Sequence, residues 1–433
     1  MKEYLKNNLP SSLFSIFRFL RHPIYSIGKV YESYLIKVQP RRYEKIVERL
    51  RDKEKIKVAF FAIHSSVWKY DSLYQLMCKH PKFEPIVVVC PVVNYGFDNM
   101  LVEMVKCYDM FKEKGYNVVR TYDVAAKKYM DVKKEINPDI VFYTNPYKGL
   151  IDDRYYITNF LDRLTCYVPY SASICSISTQ FNKPLHLFVW HFFLENDLSY
   201  KIAREEMPNS AINAIPIGYP SLDVMLTGIY IPKKGVWKHN QKYKIIWAPH
   251  HSFDLECGIH FSNFFQVSDK MLEMAEKYKD IVQFAFKPHP LLYVKLLKVW
   301  GEDKTRGYYQ QWNTGVNTQY EDSEYIDLFM TSDAMIFDSV SFIHEYLFTK
   351  KKSLFIHGNN IEEQLNKFGI EALHCHQIGY TIDDIGAFVD GVIKETPDSL
   401  SVIKEKYFEE NILPTNSNLA SQNIMNVILK SLE

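Results

Sequence analysis

A chain of 433 residues with 47% hydrophobic and 24% charged residues has room for two globular domains, which excludes a disordered or fibrous protein. A formal net charge of +1 leaves no chain-wide basic surface, so nucleic acid is not expected as a partner. The seven cysteines are scattered and never form a Cys-x-x-Cys pair, which argues against a disulfide framework and a zinc site.

Residues 1–55 are predicted to form a basic amphipathic arm that associates with an anionic membrane surface. Residues 1–57 hold roughly 14 Lys and Arg against about 6 Asp and Glu, interspersed with Leu, Phe and Ile. This composition is typical of an interfacial helix on anionic lipid. A short helix capped by Ser11 or Ser12 is expected to end or kink at Pro23. The alternative is a helix packed on the protein with its basic face in water.

The N-terminal apolar stretch predicts neither a cleaved signal nor a membrane span. Arg18 and Arg21 interrupt it, and no small-residue cleavage site follows. No run of the chain approaches the ~18 uninterrupted apolar residues of a spanning helix. We therefore expect a cytoplasmic protein that is peripheral to the inner face of the cell membrane.

Residues 56–230 are predicted to form a first Rossmann-like domain, expected to bind the acceptor. Short apolar strands alternate with amphipathic helices, which indicates βαβ units and a parallel sheet. The predicted strands cover 56–63, 85–93 and 139–145, and the predicted helices cover 71–80, 99–115 and 123–136.

Residues 231–243, rich in lysine and poor in apolar periodicity, are predicted to be a linker to a second Rossmann-like domain over 244–433. The alternation of strands and helices restarts there, so the fold class is α/β with two doubly wound domains. The predicted strands begin at Lys244, Ile281, Ala334 and Ser353, and the predicted helices cover 265–278, 324–332 and 341–350.

Polar residues follow three strands of the second domain, where ligands bind in doubly wound sheets. His250, His251 and Ser252 follow the first strand and offer groups to an anion or a base ring, although surface histidines would look the same. Lys287 and His289 follow the second, and two prolines stiffen their loop. A rigid His289, capable of carrying a positive charge, would stabilise phosphate oxygens or protonate a leaving group; the alternative is a histidine that caps a turn.

The third strand ends at Asp338 and leads into a helix through Ser339 and Ser341. Free backbone N–H groups at a helix start, with two hydroxyls, form a phosphate cradle. Glu345 lies one turn further along the same face and is predicted to accept hydrogen bonds from ribose hydroxyls. The alternative is ordinary helix capping by serine, with Glu345 in solvent.

Four blocks in order carry a family resemblance: GYPSLD (218–223), WAPHHS (247–252), KPHP (287–290) and SDAMIFDSVSFIHEYL (332–347). Over about residues 215–350 the chain resembles the CDP-glycerol:poly(glycerophosphate) glycerophosphotransferases, the teichoic-acid polymerases and primases. This resemblance implies a GT-B fold with two domains facing a cleft. It also implies a CDP-linked donor in the C-terminal domain and an acceptor polymer in the cleft.

The chain departs from that family at two blocks. The family's Thr-x-Arg is His251-Ser252-Phe253 here, and its N-terminal His-Gly-Thr-Pro-x-Lys block has no match. By spacing that block should fall near Tyr170, which becomes a candidate substrate-binding residue. We predict that His64, at the end of the first strand, replaces the missing base and that Asp71 orients it; a loop histidine without chemistry is the alternative.

The predicted function is transfer of glycerol-phosphate, or a related polyol-phosphate, from a CDP-linked donor to a hydroxyl of a teichoic-acid-like, capsular or lipid-linked glycan, with release of CMP. His289 and His64 are the predicted catalytic residues. The alternatives are a GT-B glycosyltransferase or nucleotide-sugar epimerase, and a catalytically inactive scaffold of a polysaccharide assembly complex. No cofactor is predicted, and no metal site of the protein's own, because no carboxylate cluster has metal-ligand spacing; a metal that travels with the diphosphate is the alternative. A homo-oligomer is compatible with the sequence.

Overall fold

The computed structural model describes residues 11–64, 67–94, 96–177, 180–254, 259–322, 325–358, 360–414, 416 and 418–433, with side chains described from residue 29 onward. The first ten residues of the predicted arm, and the side chains of its apolar stretch up to residue 28, lie outside the described part. Within that part the chain forms two parallel α/β sheets, each covered by helices. The predicted α/β fold class is therefore confirmed.

The first sheet consists of seven parallel strands in the order β3-β2-β1-β6-β7-β8-β9. Its order reverses between β1 and β6, which is the switch point where doubly wound sheets bind ligands. Nine strands of this half are β1 (Ile56–Ala62), β2 (Phe83–Val89), β3 (Val118–Arg120), β4 (Tyr122–Asp123), β5 (Lys128–Tyr129), β6 (Ile140–Tyr143), β7 (Leu164–Tyr167), β8 (His191–Leu194) and β9 (Ala214–Pro216).

The helices of this half lie on both faces of the sheet, with 3₁₀ turns over Asp153–Tyr155, Ile157–Asn159 and Pro220–Leu222. The strands are almost continuously apolar because both faces are covered. The helices are α1 (Ser11–Arg51), α2 (Asp71–Lys79), α3 (Phe97–Glu113), α4 (Val132–Glu135), α5 (Pro184–Phe188), α6 (Asp197–Glu206) and α7 (Asp223–Leu226).

The predicted helix over 123–136 is wrong. Strands β4 and β5 form an antiparallel hairpin there, and only the four residues of α4 are helical. The Asp123 carboxylate accepts hydrogen bonds from the backbone N–H groups of Ala125 and Ala126, and Lys127 has a left-handed φ of 50°. A side chain that satisfies the following backbone amides favours a turn over a helix.

The second sheet has six parallel strands in the order β12-β11-β10-β13-β14-β15, the strand order of a Rossmann fold. Its switch point lies between β10 and β13. The strands are β10 (Tyr243–Ala248), β11 (Val282–Phe286), β12 (Thr318–Tyr320), β13 (Ala334–Phe337), β14 (Lys352–Ile356) and β15 (Gln377–Gly379). Residues 231–242, most of the predicted linker, contain neither helix nor strand.

Helices again cover this sheet, with 3₁₀ turns over Tyr346–Thr349 and Glu362–Gln364 and a π-helix over Phe408–Ile412. The helices are α8 (Phe264–Lys277), α9 (Pro290–Trp300), α10 (Glu302–Thr314), α11 (Ile326–Thr331), α12 (Phe342–Glu345), α13 (Lys367–Leu373), α14 (Ile382–Ile393), α15 (Ser401–Tyr407) and α16 (Ala420–Ser431).

Helix α1 differs from the predicted short arm. It runs for 41 residues through Pro23 without ending there, and its second half buries Leu35 and Leu50 against the first domain. The hydroxyl of Tyr43 is hydrogen-bonded to Oγ1 of Thr165 in β7, 2.8 Å away. The predicted boundary at residue 55 therefore needs correction, because the end of α1 is part of the first domain. Among the described residues, no helix combines the length and apolar character that crossing a bilayer requires.

The last helix, α16, also crosses the predicted boundary, because it packs in the hydrophobic core of the first domain rather than the second. Asp223, the end of the GYPSLD block, accepts hydrogen bonds from the backbone N–H groups of Ala420 and Ser421 at 2.9 and 2.8 Å. Gly218 has a φ of 104°, and a Cβ there would lie 2.9 Å from the Cβ of Ala420. This block therefore docks α16 onto the first domain.

Candidate active site

Three loops meet at the carboxyl ends of the central strands of the second sheet. His250 and His251 follow β10, and His289 follows the neighbouring strand β11. The ring centroids of His250 and His251 are each within 5 Å of the His289 ring, at 4.9 and 4.2 Å. Lys287 lies on the same loop as His289 and is 6% exposed. The predicted residues of the WAPHHS and KPHP blocks are thus brought together.

Asp338 ties this cluster together from the end of β13. Its two carboxylate oxygens accept hydrogen bonds from the backbone N–H groups of His250 and Asn263, each at 2.6 Å. The side chain is 1% exposed, and burial raises its pKa to about 7. Asp338 was predicted to bind substrate; its position instead suits it to holding the loops that carry the histidines.

Ser252 has a similar supporting position. Its side chain is fully buried; its Oγ accepts a hydrogen bond from the backbone N–H of Phe261 at 3.0 Å and lies 2.7 Å from Nδ1 of His250. A hydroxyl held in this way orients the His250 ring and does not face solvent. The direct substrate contact predicted for Ser252 is therefore not supported by its surroundings.

Two rings of this cluster, those of His250 and His289, accept a backbone N–H at Nδ1 and so present a hydrogen-bond donor at Nε2. Nδ1 of His289 accepts the backbone N–H of Leu291 at 3.1 Å and so caps α9, and Nδ1 of His250 accepts the backbone N–H of Ser252 at 3.3 Å. Both neutral rings therefore carry their proton on Nε2. Burial lowers the pKa of His250 and His289 well below the usual value, and that of His251 to about 4. His289 therefore caps a helix start, as the alternative from the sequence had it, and burial disfavours the positive charge that the sequence allowed it.

The same tautomers bear on metal binding. One ring nitrogen from each of His250, His251 and His289 lies within 4.8 Å of the others. The sequence did not reveal this grouping because His289 is distant in the chain from the adjacent pair His250 and His251. A metal needs a lone pair on each nitrogen, whereas two of these rings present an Nε2–H bond. The cluster as it stands therefore favours a hydrogen-bond acceptor, such as a phosphate oxygen, over a cation.

The SDAMIFDSVSFIHEYL block contains β13 and helix α12, and Ser341 precedes that helix. The Ser341 hydroxyl makes no capping hydrogen bond among the described residues, so helix capping does not explain it. Ser339 is buried beside it, next to Asp338. Glu345, predicted to lie in solvent if it had no function, is instead 1% exposed.

Glu345 is held by two residues that the sequence analysis did not connect to it. Its Oε1 accepts a hydrogen bond from the Tyr219 hydroxyl at 2.8 Å and lies 3.8 Å from Nζ of Lys69. Tyr219 belongs to the GYPSLD block, and Lys69 comes from the first domain, on the segment after β1. One carboxylate oxygen of Glu345 is thus engaged by groups of the protein.

His64 also lies at a switch point, two residues after the end of β1. Its Nδ1 is 2.9 Å from Oε2 of Glu103 on α3, and this hydrogen bond lowers the pKa of Glu103. The predicted partner, Asp71, is engaged elsewhere: it accepts hydrogen bonds from Nε1 of Trp68 and the Tyr116 hydroxyl. The expectation that Asp71 orients His64 is therefore wrong, and Glu103 has that position.

Tyr170 lies on the loop after β7, with its hydroxyl 3.2 Å from that of Tyr147. Nζ of Lys183 lies over the Tyr147 ring, 4.6 Å from its centroid. Burial raises the pKa of Tyr170 well above its usual value, which disfavours the phenolate that a general base requires. Tyr170 is thus better suited to donate a hydrogen bond than to accept a proton.

No family model matches the chain, and no curated protein sequence matches it. Solved structures do match. A UDP-GlcNAc 2-epimerase from Neisseria meningitidis bound to UDP-GlcNAc is 16% identical, with a TM-score of 0.52 over 87% of this chain and 100% of that chain. The S. aureus MnaA–UDP structure is 13% identical, with a TM-score of 0.56 over 87% of this chain and 97% of the other.

A variant of the wall teichoic acid polymerase TagF, soaked with CDPG, is 13% identical, with a TM-score of 0.55 over 94% of this chain and 98% of that chain. These likenesses show that the chain has the GT-B fold, with two Rossmann-like domains, as the sequence analysis predicted. At such low identity they show the fold alone.

Proposed function

We propose that the protein is a GT-B transferase that moves glycerol-phosphate, or a related polyol-phosphate, from a CDP-linked donor to a hydroxyl of a cell-surface glycan. The observation that carries this proposal is the convergence of the loops after β10, β11 and β13. Three of the four blocks that resemble the glycerophosphotransferases lie in or beside those same loops; the fourth, GYPSLD, follows β9. Ligands of doubly wound sheets bind at this edge, beside the switch point.

The second domain would bind the CDP-linked substrate through uncharged hydrogen-bond donors and one carboxylate. The Nε2–H groups of His250 and His289, together with Ser339 and Ser341, suit the diphosphate oxygens. The start of α12 adds backbone N–H groups that favour an anion. Oε1 of Glu345 is engaged by Tyr219, so the proposal assigns its other carboxylate oxygen to the ribose hydroxyls.

The transfer step follows from this arrangement. The acceptor oxygen forms a bond to the β-phosphorus of the donor, the bond from that phosphorus to the bridging oxygen breaks, and CMP leaves with the bonding electrons. Nδ1–H of His64 donates to Glu103, which leaves Nε2 with the lone pair that accepts the acceptor's proton. Catalysis otherwise consists of positioning and of stabilising charge on the phosphoryl oxygens.

The proposal places the enzyme at the inner face of the membrane, where a lipid-linked acceptor is accessible. In α1, Val30, Tyr31 and Tyr34 are more than half exposed, and Lys29 and Lys37 flank them. Apolar and basic residues together suit an anionic lipid surface. Since Leu35 is part of the core, the test in vesicle co-sedimentation compares the wild type with Tyr31→Ser/Tyr34→Ser, which alters exposed residues of this surface and leaves Leu35 in place. Binding that neither this variant nor added salt weakens would contradict the arm's role.

A nucleotide-sugar epimerase or glycosyltransferase is the second candidate, because structures of UDP-GlcNAc 2-epimerases share the fold over most of their chains. Such an enzyme would use the same diphosphate contacts but react at a sugar carbon. An inactive scaffold is the third candidate, and the absent His-Gly-Thr-Pro block is what favours it. The His64–Glu103 pair argues against it, because it supplies an oriented imidazole at the first domain's switch point.

The deciding experiment incubates the protein with CDP-glycerol, CDP-ribitol and UDP-GlcNAc and follows release of CMP, release of UDP and epimerisation. CMP release that depends on a glycan acceptor would support the proposal, and turnover of UDP-GlcNAc alone would overturn it. Ser341→Asp places a negative charge at the proposed diphosphate contact, so the donor dissociation constant should rise by about 100-fold. Ser401→Asp, at an exposed helix start outside these loops, is the matched control.

A further inference from the structure

Lys69 is a buried cation between the two domains. It lies on the segment after β1, five residues beyond His64, and its side chain is 6% exposed. Its ammonium contacts Tyr325 and Glu345 of the second domain. It also lies near Tyr219, on the segment after β9. Nζ donates a hydrogen bond to the Tyr325 hydroxyl at 3.2 Å and lies 3.8 Å from Oε1 of Glu345.

Two tyrosine rings complete this environment. Nζ of Lys69 lies 5.5 Å from the centroid of the Tyr325 ring and 5.9 Å from that of Tyr219. A desolvated ammonium is attracted to aromatic faces at such distances. A buried charge persists only when it is paired and hydrogen-bonded, so Lys69 and Glu345 each depend on the other.

We propose that Lys69 is an interdomain positioning residue that couples the segment carrying His64 to Glu345, the carboxylate of the nucleotide site. The inference deepens the proposed function and rests on it for the assignment of Glu345 to the ribose. The ammonium holds two groups at once: it places the first domain's loop against the second domain, and with Tyr219 it engages one oxygen of Glu345. The other oxygen is thereby directed to the nucleotide.

This arrangement predicts a link between domain contact and nucleotide affinity. When the two domains separate, Lys69 leaves Glu345, and the carboxylate loses a partner that orients it. A nucleotide therefore binds more tightly to the closed pair of domains than to the open one, and the same contact brings His64 toward the donor. If Lys69 had only a structural role, its substitution would lower the stability of the protein without changing both domain contact and nucleotide affinity.

The test compares the full-length protein with Lys69→Met, Lys69→Arg and Tyr325→Phe, which removes only a hydroxyl partner of the ammonium. The matched control is Lys404→Met, because Lys404 is 2% exposed and pairs with Asp398 at 2.6 Å inside the second domain. Two quantities are measured. Calorimetry gives the dissociation constants of CDP and UDP, and hydrogen–deuterium exchange without ligand reports amide protection in 67–79 and 219–226.

Lys69→Met should reduce amide protection in both segments and weaken nucleotide binding by about tenfold or more, since hydrogen bonds to charged groups are strong. Lys69→Arg should retain most of the amide protection and most of the nucleotide affinity. Tyr325→Phe should give values of both quantities between those of the wild type and Lys69→Met. Lys404→Met should leave both quantities unchanged even if it lowers the melting temperature. The proposal is overturned if Lys69→Met exchanges like the wild type, or if Lys404→Met has the same effects on both.

The two measurements, nucleotide affinity and amide exchange, separate this inference from the proposed function. If the wild type binds neither CDP nor UDP, the proposed nucleotide site fails, and the exchange measurement alone decides whether Lys69 holds the domains together. If nucleotide binds and Lys69→Met loosens the segments without changing affinity, the coupling to Glu345 is refuted, although the donor site stands.

Discussion

Nδ1 of His64 lies 2.9 Å from Oε2 of Glu103, which pairs the end of β1 with a helix 39 residues further along the chain. Both side chains keep part of their surface in solvent, at 22% and 29%. A carboxylate in this position holds one tautomer of the imidazole and stabilises the ring after it accepts a proton. The pair therefore has the form of an oriented general base.

Removing the base should suppress transfer more than donor binding. His64→Ala is expected to lower the transfer rate by about 10²–10⁴-fold, the usual contribution of a general base, with the donor dissociation constant unchanged. Glu103→Gln keeps the shape of the side chain but not its charge, so a smaller loss of about tenfold or more is expected. Glu113→Gln, exposed on the same helix, is the control. Transfer by His64→Ala at the wild-type rate would show that the base is elsewhere.

His289 should affect a different part of the reaction. If its Nε2–H stabilises the diphosphate, His289→Asn should slow both transfer and the hydrolysis of donor to CMP, because both reactions expel the same group. Asparagine can still cap α9 in place of the imidazole, so the loop should remain folded. Melting temperature and both rates are measured together. Loss of transfer with unaltered hydrolysis would move His289 away from the leaving group.

The docking of α16 should depend on Asp223. Asp223→Ala leaves the N–H groups of Ala420 and Ser421 without their buried acceptor, which should lower the free energy of unfolding by about 2 kcal/mol or more. Urea denaturation and proteolysis of the C-terminal helix would detect the change. Asp383→Ala, exposed in the first turn of α14, is the control. Equal stability of the two variants would mean that α16 docks through its apolar face alone.

Acid should destabilise the protein through buried histidines. Burial lowers the pKa of His186, His344 and His376 to about 3, below the ordinary value of 6.5, so the unfolded chain binds protons that the folded chain does not. The contribution of each histidine to the free energy of unfolding is therefore fully present above pH 6.5 and is lost as the pH falls toward 3. At pH 5 each histidine costs about 2 kcal/mol relative to neutral pH.

Urea denaturation at pH 7.5 and pH 5 checks this expectation. His344→Leu removes one titrating ring and should reduce the loss of stability between the two pH values, even if it lowers stability at pH 7.5. His374→Leu, at an exposed position, should leave the loss unchanged. A pH dependence that is the same in His344→Leu and in the wild type would contradict the argument.

Much of the architecture was predictable because it depends on local patterns. Short apolar runs separated by amphipathic helices predicted both parallel sheets, and strand ends located His64, His250, His289 and Ser341 at the edges where ligands bind. The pattern failed at residues 123–136, where amphipathic spacing suggested a helix. There the Asp123 side chain satisfies nearby amides, a contact that periodicity does not reveal.

What the sequence by itself determined, then, is the order of strands and helices and the residue types at the strand ends. The tertiary structure alone decided which side chains meet: Glu103 with His64, Lys69 with Glu345, and Asp223 with the start of α16. It also decided charge, because burial and the backbone donors to Nδ1 make His289 a neutral donor rather than a cation. Local pattern follows from neighbours along the chain, whereas pairing and desolvation depend on how distant elements pack.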